Sequence, residues 1–343
     1  MMLSLSDRIL RRASRRVFTL PDRILRRLAG PEQRNDRGTP LDLHTQLMIR
    51  LDAAVNRDPL SDHAPQSARA RMERSCELIR GPLREVSGIE DRAIGDGIHV
   101  RIYTPSVTPA PVLLYLHGGG WVVGSPSSHD ALCRRFAADA GRLVLSVDYR
   151  LAPEHPFPGP LEDVLKAWDW ARENAAALGG DPGNIAMGGD SAGGNLTAAA
   201  CLVLRDAGRP QPALQLLIYP GTDLHRDTAS HRLFSEGYLL TESDIVWYQD
   251  HYGCLDLDDP RGSPLLAQDH RNLPPAIVVT AGFDPLRDEG EAYADRLEAA
   301  GVPVVRIDAA DLVHGFANMD SLPAASGRID EIVDALGSSV QPE

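Results

Sequence analysis

Apolar positions along this chain follow two alternating rhythms. Residues 112–116, Val112-Leu113-Leu114-Tyr115-Leu116, form a continuous apolar run. Its length and unbroken apolarity predict a strand buried on both faces. Residues 143–149, 184–188, 214–219, 276–283 and 304–308 read the same way. Between and after them, residues 161–178, 196–204, 286–300 and 324–336 carry helical spacing, the first closed by Gly179-Gly180. Ahead of this series, 84–89 and 98–104 are expected as short strands. Residues 40–80 are expected as one or two helices, with Leu43, Leu47, Met48 and Leu51 on one face and breaks at Pro59 and Pro65. Strands alternating with helices imply a mostly parallel sheet covered on both sides. In such sheets the working residues lie in loops beyond the strand C-termini.

Two segments break the rhythm. Over 221–262 the regular apolar runs stop, and Asp, His, Ser and aromatic residues dominate around one expected helix at 241–252. This stretch reads as an insertion. The other is the N-terminal arm, where Asp7-Arg8-Ile9-Leu10-Arg11-Arg12 returns as Asp22-Arg23-Ile24-Leu25-Arg26-Arg27. Each copy has the pattern of a short amphipathic helix. In the first, Ile9, Leu10, Ala13 and Val17 share a face opposite the arginines, and Ser6 and Asp22 are candidate N-caps.

Charge sharpens that contrast. Residues 1–37 hold ten arginines against four acids, a balance of +6, which leaves −19 on the rest of a chain whose net charge is −13. The overall sign argues against nucleic acid as a partner. Three readings of the arm stay open: helices lying over the α/β domain with a solvated basic face, a weak membrane-surface contact through 1–37, or a disordered or partner-binding tail. The 343 residues, 43% of them apolar, suffice for one large α/β domain with an added subdomain. Cys76, Cys133, Cys201 and Cys254 are widely spaced, which reads as a reduced, cytoplasmic protein without a metal cluster. No apolar run approaches the ~18 residues of a membrane span.

The chemistry centres on Gly189-Asp190-Ser191-Ala192-Gly193-Gly194, which follows a predicted strand and precedes a predicted helix. That context is the one a G-x-S-x-G nucleophile elbow requires, because a serine on a sharp turn needs near-bare backbone two residues to either side. A serine hydroxyl needs a base, and the base an orienting acid. His314, a short loop beyond the 304–308 strand and beside Gly315, is the candidate base. Asp284, at the end of the 276–283 strand, is the candidate acid; the plainer role for an Asp before Pro285 is a helix N-cap. Asp288 and Glu289 are the nearest rival acids. His117-Gly118-Gly119-Gly120 ends the 112–116 strand and offers bare amides for an oxyanion hole with Ala192. His117 itself reads as a loop-fixing hydrogen bonder. Trp121, Gly118 and Asp190 are candidate pocket residues.

These residues carry a resemblance. His117-Gly118-Gly119-Gly120-Trp121, then Asp148-Tyr149-Arg150-Leu151-Ala152-Pro153-Glu154, the elbow through Asn195, Asp284-Pro285-Leu286-Arg287-Asp288 and His314-Gly315-Phe316 together resemble the bacterial hormone-sensitive-lipase family of esterases over about 110–320. The resemblance implies an α/β-hydrolase core of about eight strands, no cofactor and no metal, and hydrolysis of short to medium acyl esters. It implies Ser191, Asp284 and His314 as the triad, and Gly119, Gly120 and Ala192 as oxyanion donors. Asp190 would steady the elbow. A helical cap would combine residues 1–80 with the insertion at 221–262, over a catalytic domain of 81–220 and 263–343. Amide or N-acetyl hydrolysis by the same triad, a non-catalytic ligand receptor on the same scaffold, and a homodimer remain open at this point.

Overall fold

A computed structural model describes residues 5–55 and 58–338. Eight strands form one sheet: β1 (Gly88–Gly95), β2 (Ile98–Thr104), β3 (Ala110–Leu116), β4 (Leu143–Asp148), β5 (Gly180–Asp190), β6 (Gln215–Ile218), β7 (Ala276–Phe283) and β8 (Val304–Val313). Their spatial order is β1-β2-β4-β3-β5-β6-β7-β8. The pairs β1–β2 and β2–β4 are antiparallel, and every pair from β4 to β8 is parallel. The pleat divides the predicted apolar runs between two cores. Leu113 and Tyr115 pack on one face of the sheet with Phe136, Ile329 and Ile332. Val112, Leu114 and Leu116 pack on the other with Val164, Trp168 and Leu196. Both faces are therefore dry, as continuous rather than alternating apolar strands require.

Eleven α-helices are seen among the described residues. The first four are α1 (Leu5–Phe18), α2 (Asp22–Ala29), α3 (Leu43–Val55) and α4 (Pro65–Ile79). The sheet is flanked by α5 (Asp130–Ala138), α6 (Gly159–Asn174), α7 (Ala192–Asp206), α10 (Arg287–Ala299) and α11 (Pro323–Ser338). Helices α8 (Ala229–Phe234) and α9 (Glu242–Tyr252) lie within the insertion. Thr241 caps α9 by accepting the Asp244 amide, and Gly253 closes it at φ 73°.

Several expectations need correction. The first strand runs from Gly88 rather than over 84–89. Helices α5 and α8 were not expected; both are short, and α5 buries Leu132, Cys133 and Phe136 within nine residues. Strand β8 continues to Val313, so His314 follows the strand directly rather than after a loop. Asp22 is the first helical residue of α2, with Pro21 at the cap position. Ser6 falls inside α1, and its side chain, like those of Ile9, Leu10 and Ala13, lies outside the described residues.

The arm folds onto the rest of the chain. Leu25 and Ala29 of α2 are buried against Leu47 of α3. Arg74 of α4 holds Asp7 of α1 at 2.6 Å, and Arg37 holds Glu291 at 2.6 Å. The segment between β6 and β7 is tied to α7 through Asn195. Its amide Nδ2 donates to the Gly221 carbonyl at 2.8 Å and the Gly262 carbonyl at 2.7 Å, so one side chain ties both ends of the inserted segment to the helix behind the elbow.

Candidate active site

Ser191 sits between β5 and α7 with φ 54° and ψ −118°. Positive φ at a non-glycine residue is strained, and the surroundings enforce it. A Cβ on Gly193 would lie 1.9 Å from the Leu116 carbonyl oxygen, and one on Gly189 would lie 2.3 Å from the same atom. Only bare backbone lets the elbow press this closely against the end of β3.

The three predicted side chains converge. His314 Nε2 lies 2.9 Å from Ser191 Oγ, and His314 Nδ1 lies 2.8 Å from Asp284 Oδ2. A carboxylate only accepts, so Nδ1 carries the proton and Nε2 is free to accept one from the serine. Asp284 is fully buried. Its second oxygen, Oδ1, accepts the Leu286 amide at 2.8 Å, so the turn that starts α10 also fixes the carboxylate plane. The rival acids point elsewhere. Asp288 accepts the Ser230 amide at 2.8 Å, and Glu289 accepts the Thr222 amide at 2.7 Å. Burial pushes the Glu289 carboxyl well above the usual carboxylate range. The ring of Tyr219, a residue that nothing in the sequence marked, lies 4.7 Å from that of His314 and limits its tilt.

The loop after β3 faces the serine. Gly119 has φ 120° and Gly120 φ 56°, both left-handed values. A Cβ on Gly119 would meet the Val123 carbonyl oxygen at 2.3 Å, and one on Gly120 would meet the Tyr248 ring at 2.2 Å. The amide of Ala192 belongs to the first turn of α7, where helix geometry supplies no partner. Gly119, Gly120 and Ala192 line one cavity together with Ser191 and His314.

Asp190 locks this loop to the elbow. Its Oδ1 accepts from the Tyr115 hydroxyl at 2.7 Å and from the Gly118 amide at 2.9 Å, and His129 Nε2 lies 3.1 Å away. Burial alone would raise the carboxyl, yet His129, Tyr115 and the Gly118 amide hold it at about 2. Gly118 thus braces the loop through its amide, while Trp121 and Asp190 are both on the cavity lining. Trp121 stacks on Tyr252 of α9 at 4.2 Å between centroids. His117 donates from Nδ1 to the Gly118 carbonyl at 2.9 Å and stacks on Tyr149. Burial, with His129 nearby, pushes its pKa down to about 3, so it stays neutral and structural. Tyr115 and His129 were not singled out in the sequence. Both are ordinary core or loop residues until the fold brings Asp190 between them.

The cavity measures about 380 Å³. Its floor is formed by Gly119, Gly120, Ser191, Ala192 and His314, and its walls come from Phe18, Met48, Met72, Leu240, Ile245 and Tyr248, among others. These belong to the N-terminal helices and the insertion. Among the described residues no cluster of His, Cys, Asp or Glu is arranged to hold a metal, and no helix is long and apolar enough to cross a membrane. The four cysteines are buried, and none is in a disulfide.

Comparison with known proteins gives this geometry a family. The alpha/beta hydrolase fold family matches residues 113–318. The carboxylic ester hydrolase LipN of Mycobacterium tuberculosis is 45% identical over 313 residues, covering 87% of this chain and 83% of that protein. An ethyl acetate hydrolase of Pseudomonas putida is 40% identical, covering 77% and 86%. Among solved structures, an ester hydrolase from the metagenome of Lake Arreo, complexed with a bipyridine phosphonate derivative, superposes with a TM-score of 0.84 at 40% identity, covering 87% of this chain and 98% of its own. With its eight-stranded sheet, its elbow and these relatives, the chain belongs to the α/β-hydrolase family, in the hormone-sensitive-lipase-like branch of carboxylesterases.

Proposed function

We propose that this chain hydrolyses carboxylic esters of short to medium acyl chains through an acyl-enzyme on Ser191. The observation that carries the reading is the 2.9 Å contact of His314 Nε2 with Ser191 Oγ, with Nδ1 of the same ring held 2.8 Å from a buried carboxylate. Ser191 Oγ attacks the ester carbonyl as His314 takes its proton. The oxygen of the tetrahedral intermediate becomes negative where the amides of Gly119, Gly120 and Ala192 meet. One such donor is typically worth about 3 kcal/mol in the transition state. His314 then gives its proton to the leaving alcohol. Water, deprotonated by the same ring, releases the acid and regenerates the serine. Asp284 keeps the ring in the working tautomer and stabilises its cationic form.

The N-terminal helices and the insertion act together as the cap in this reading. They supply the apolar wall against which the acyl chain packs, and Asn195 holds the insertion in register with the elbow. Each methylene buried there contributes roughly 0.8 kcal/mol, up to about fourfold in kcat/KM. Across p-nitrophenyl esters, kcat/KM is therefore expected to climb from acetate to hexanoate and to fall for hexadecanoate, which a cavity of about 380 Å³ cannot enclose. The matched hexanoyl anilide should react at least about 100-fold more slowly, since its poor leaving group adds to the barrier at roughly 1.4 kcal/mol per tenfold. A series that peaks at acetate would contradict the cavity assignment. An anilide faster than its ester would replace esterase by amidase.

A further inference from the structure

The arm carries a feature that ester hydrolysis does not use. Arg8, Arg11, Arg12 and Arg15 of α1 converge on one cleft, whose opposite wall is Arg80, Gly81 and Pro82 at the end of α4. Glu77 partly offsets these five guanidinium groups, taking Arg11 Nη1 at 3.0 Å and Arg80 Nη2 at 2.7 Å. The other nearby carboxylates are committed: Asp7 to Arg74, and Asp320 to the Gly81 amide. Burial lowers the pKa of Arg11, and the neighbouring Arg80 and Arg15 add to that shift. A basic helix face that is merely solvated spreads its charges apart, whereas these meet in one concavity. Arg11 and Arg15 both donate to the Arg80 carbonyl at 3.2 Å, which draws the helix onto this wall and leaves the exposed guanidinium forks of Arg8 and Arg12 to match the oxygens of a phosphate.

Position identifies the ligand further. Arg15 lines both this cleft and the catalytic cavity, so the two adjoin across α1. Leu51 and Val55 line the same cavity and stay 37% and 53% exposed, an apolar rim beside an arginine cleft. A free phosphate would need only the arginines. A lipid surface offers both a phosphate layer and an apolar layer. The charge division acts in the same sense, because an arm at +6 on a body at −19 turns the arm toward an anionic surface. We propose that this cleft binds the phosphate of anionic phospholipid headgroups and so docks the mouth of the acyl cavity on a lipid surface. The proposal rests on reading the cavity as the acyl-ester site.

The test uses the full-length protein and sedimenting vesicles, either phosphatidylcholine alone or phosphatidylcholine mixed equally with phosphatidylglycerol. Partition onto the mixed vesicles should be at least about tenfold stronger and should weaken as salt is raised. The double variant R8Q/R12Q should lose roughly 30-fold of that partition, the effect of two basic side chains at such a surface. Its kcat/KM on dissolved p-nitrophenyl butyrate should match the wild type, which also reports folding; R12E alone serves as a second variant. Equal partition onto both vesicle types, or partition untouched by either variant, would overturn the proposal. So would thermal stabilisation of the wild type by inorganic phosphate without vesicle binding, which would make the cleft a free-anion site. Turnover of the dissolved ester without vesicle binding defeats the docking surface alone. Vesicle binding without turnover defeats the hydrolase reading alone.

Discussion

Replacing Ser191 with alanine is expected to lower kcat by about 10⁶-fold while leaving the fold intact. The magnitude follows from the loss of the nucleophile itself. The amides of Gly119, Gly120 and Ala192 can still polarise a bound ester, but water would have to attack without being held or activated at the serine position, and residual rates from binding and the oxyanion hole alone are about 10³–10⁴ over water. The fold should persist because the hydroxyl's role is the 2.9 Å bond to His314, while the elbow is fixed by backbone, including the Ser191 amide to the Ile218 carbonyl at 2.9 Å. Alanine meets the same backbone strain at φ 54° that serine already bears. Steady-state turnover of p-nitrophenyl butyrate together with a thermal melt checks both halves. A melt unchanged with activity retained would remove Ser191 from its role.

Asp284→Asn is expected to cost about 10⁴-fold in kcat, with little change in KM. The reason is a tautomer. Asp284 Oδ1 accepts the Leu286 amide at 2.8 Å, and an asparagine can keep that bond only by directing its carbonyl oxygen there. Its NH₂ group then faces His314 Nδ1, where Oδ2 now lies at 2.8 Å. Nδ1 must accept, so the ring proton moves to Nε2, and Nε2 can no longer take the serine proton. The substitution is close to isosteric and keeps the turn, so circular dichroism and melting should stay near wild type. A loss confined to KM would contradict this account, since the carboxylate would then be acting on binding.

Much of the site could be read from the sequence because each part needs a particular residue type at a strand end. Ser191 required Gly189 and Gly193, and the clash distances to Leu116 explain why no other residue fits. Asp284 and His314 each follow the last residue of a strand, β7 and β8, and a shift of register after the Ala281–Ala309 pair brings Phe283 opposite Val313, so the two side chains leave the sheet side by side. What stayed hidden depends on distance in the chain. His129 and Tyr115 meet Asp190 only after β3 and β5 pair, 61 and 75 residues of separation having left no local pattern. Helices α5 and α8 were missed because nine and six residues carry too few turns for a helical period to show. The N-cap role considered for Asp284 does not hold, because Leu286 occupies the cap position of α10 without a side-chain cap; Asp284 instead gives one oxygen to the Leu286 amide in the preceding turn and the other to the ring.

Labelling by an aryl organophosphonate, read by peptide mass spectrometry, tests the central claim most directly, because phosphonylation needs an activated serine and reports its identity without any assumption about substrate. The account predicts a single adduct on the peptide containing Ser191 in the wild-type protein and its near-complete loss in His314→Ala, where the hydroxyl remains but its base is gone. Labelling at another residue, or equal labelling of Ser191 with and without the imidazole, would contradict it.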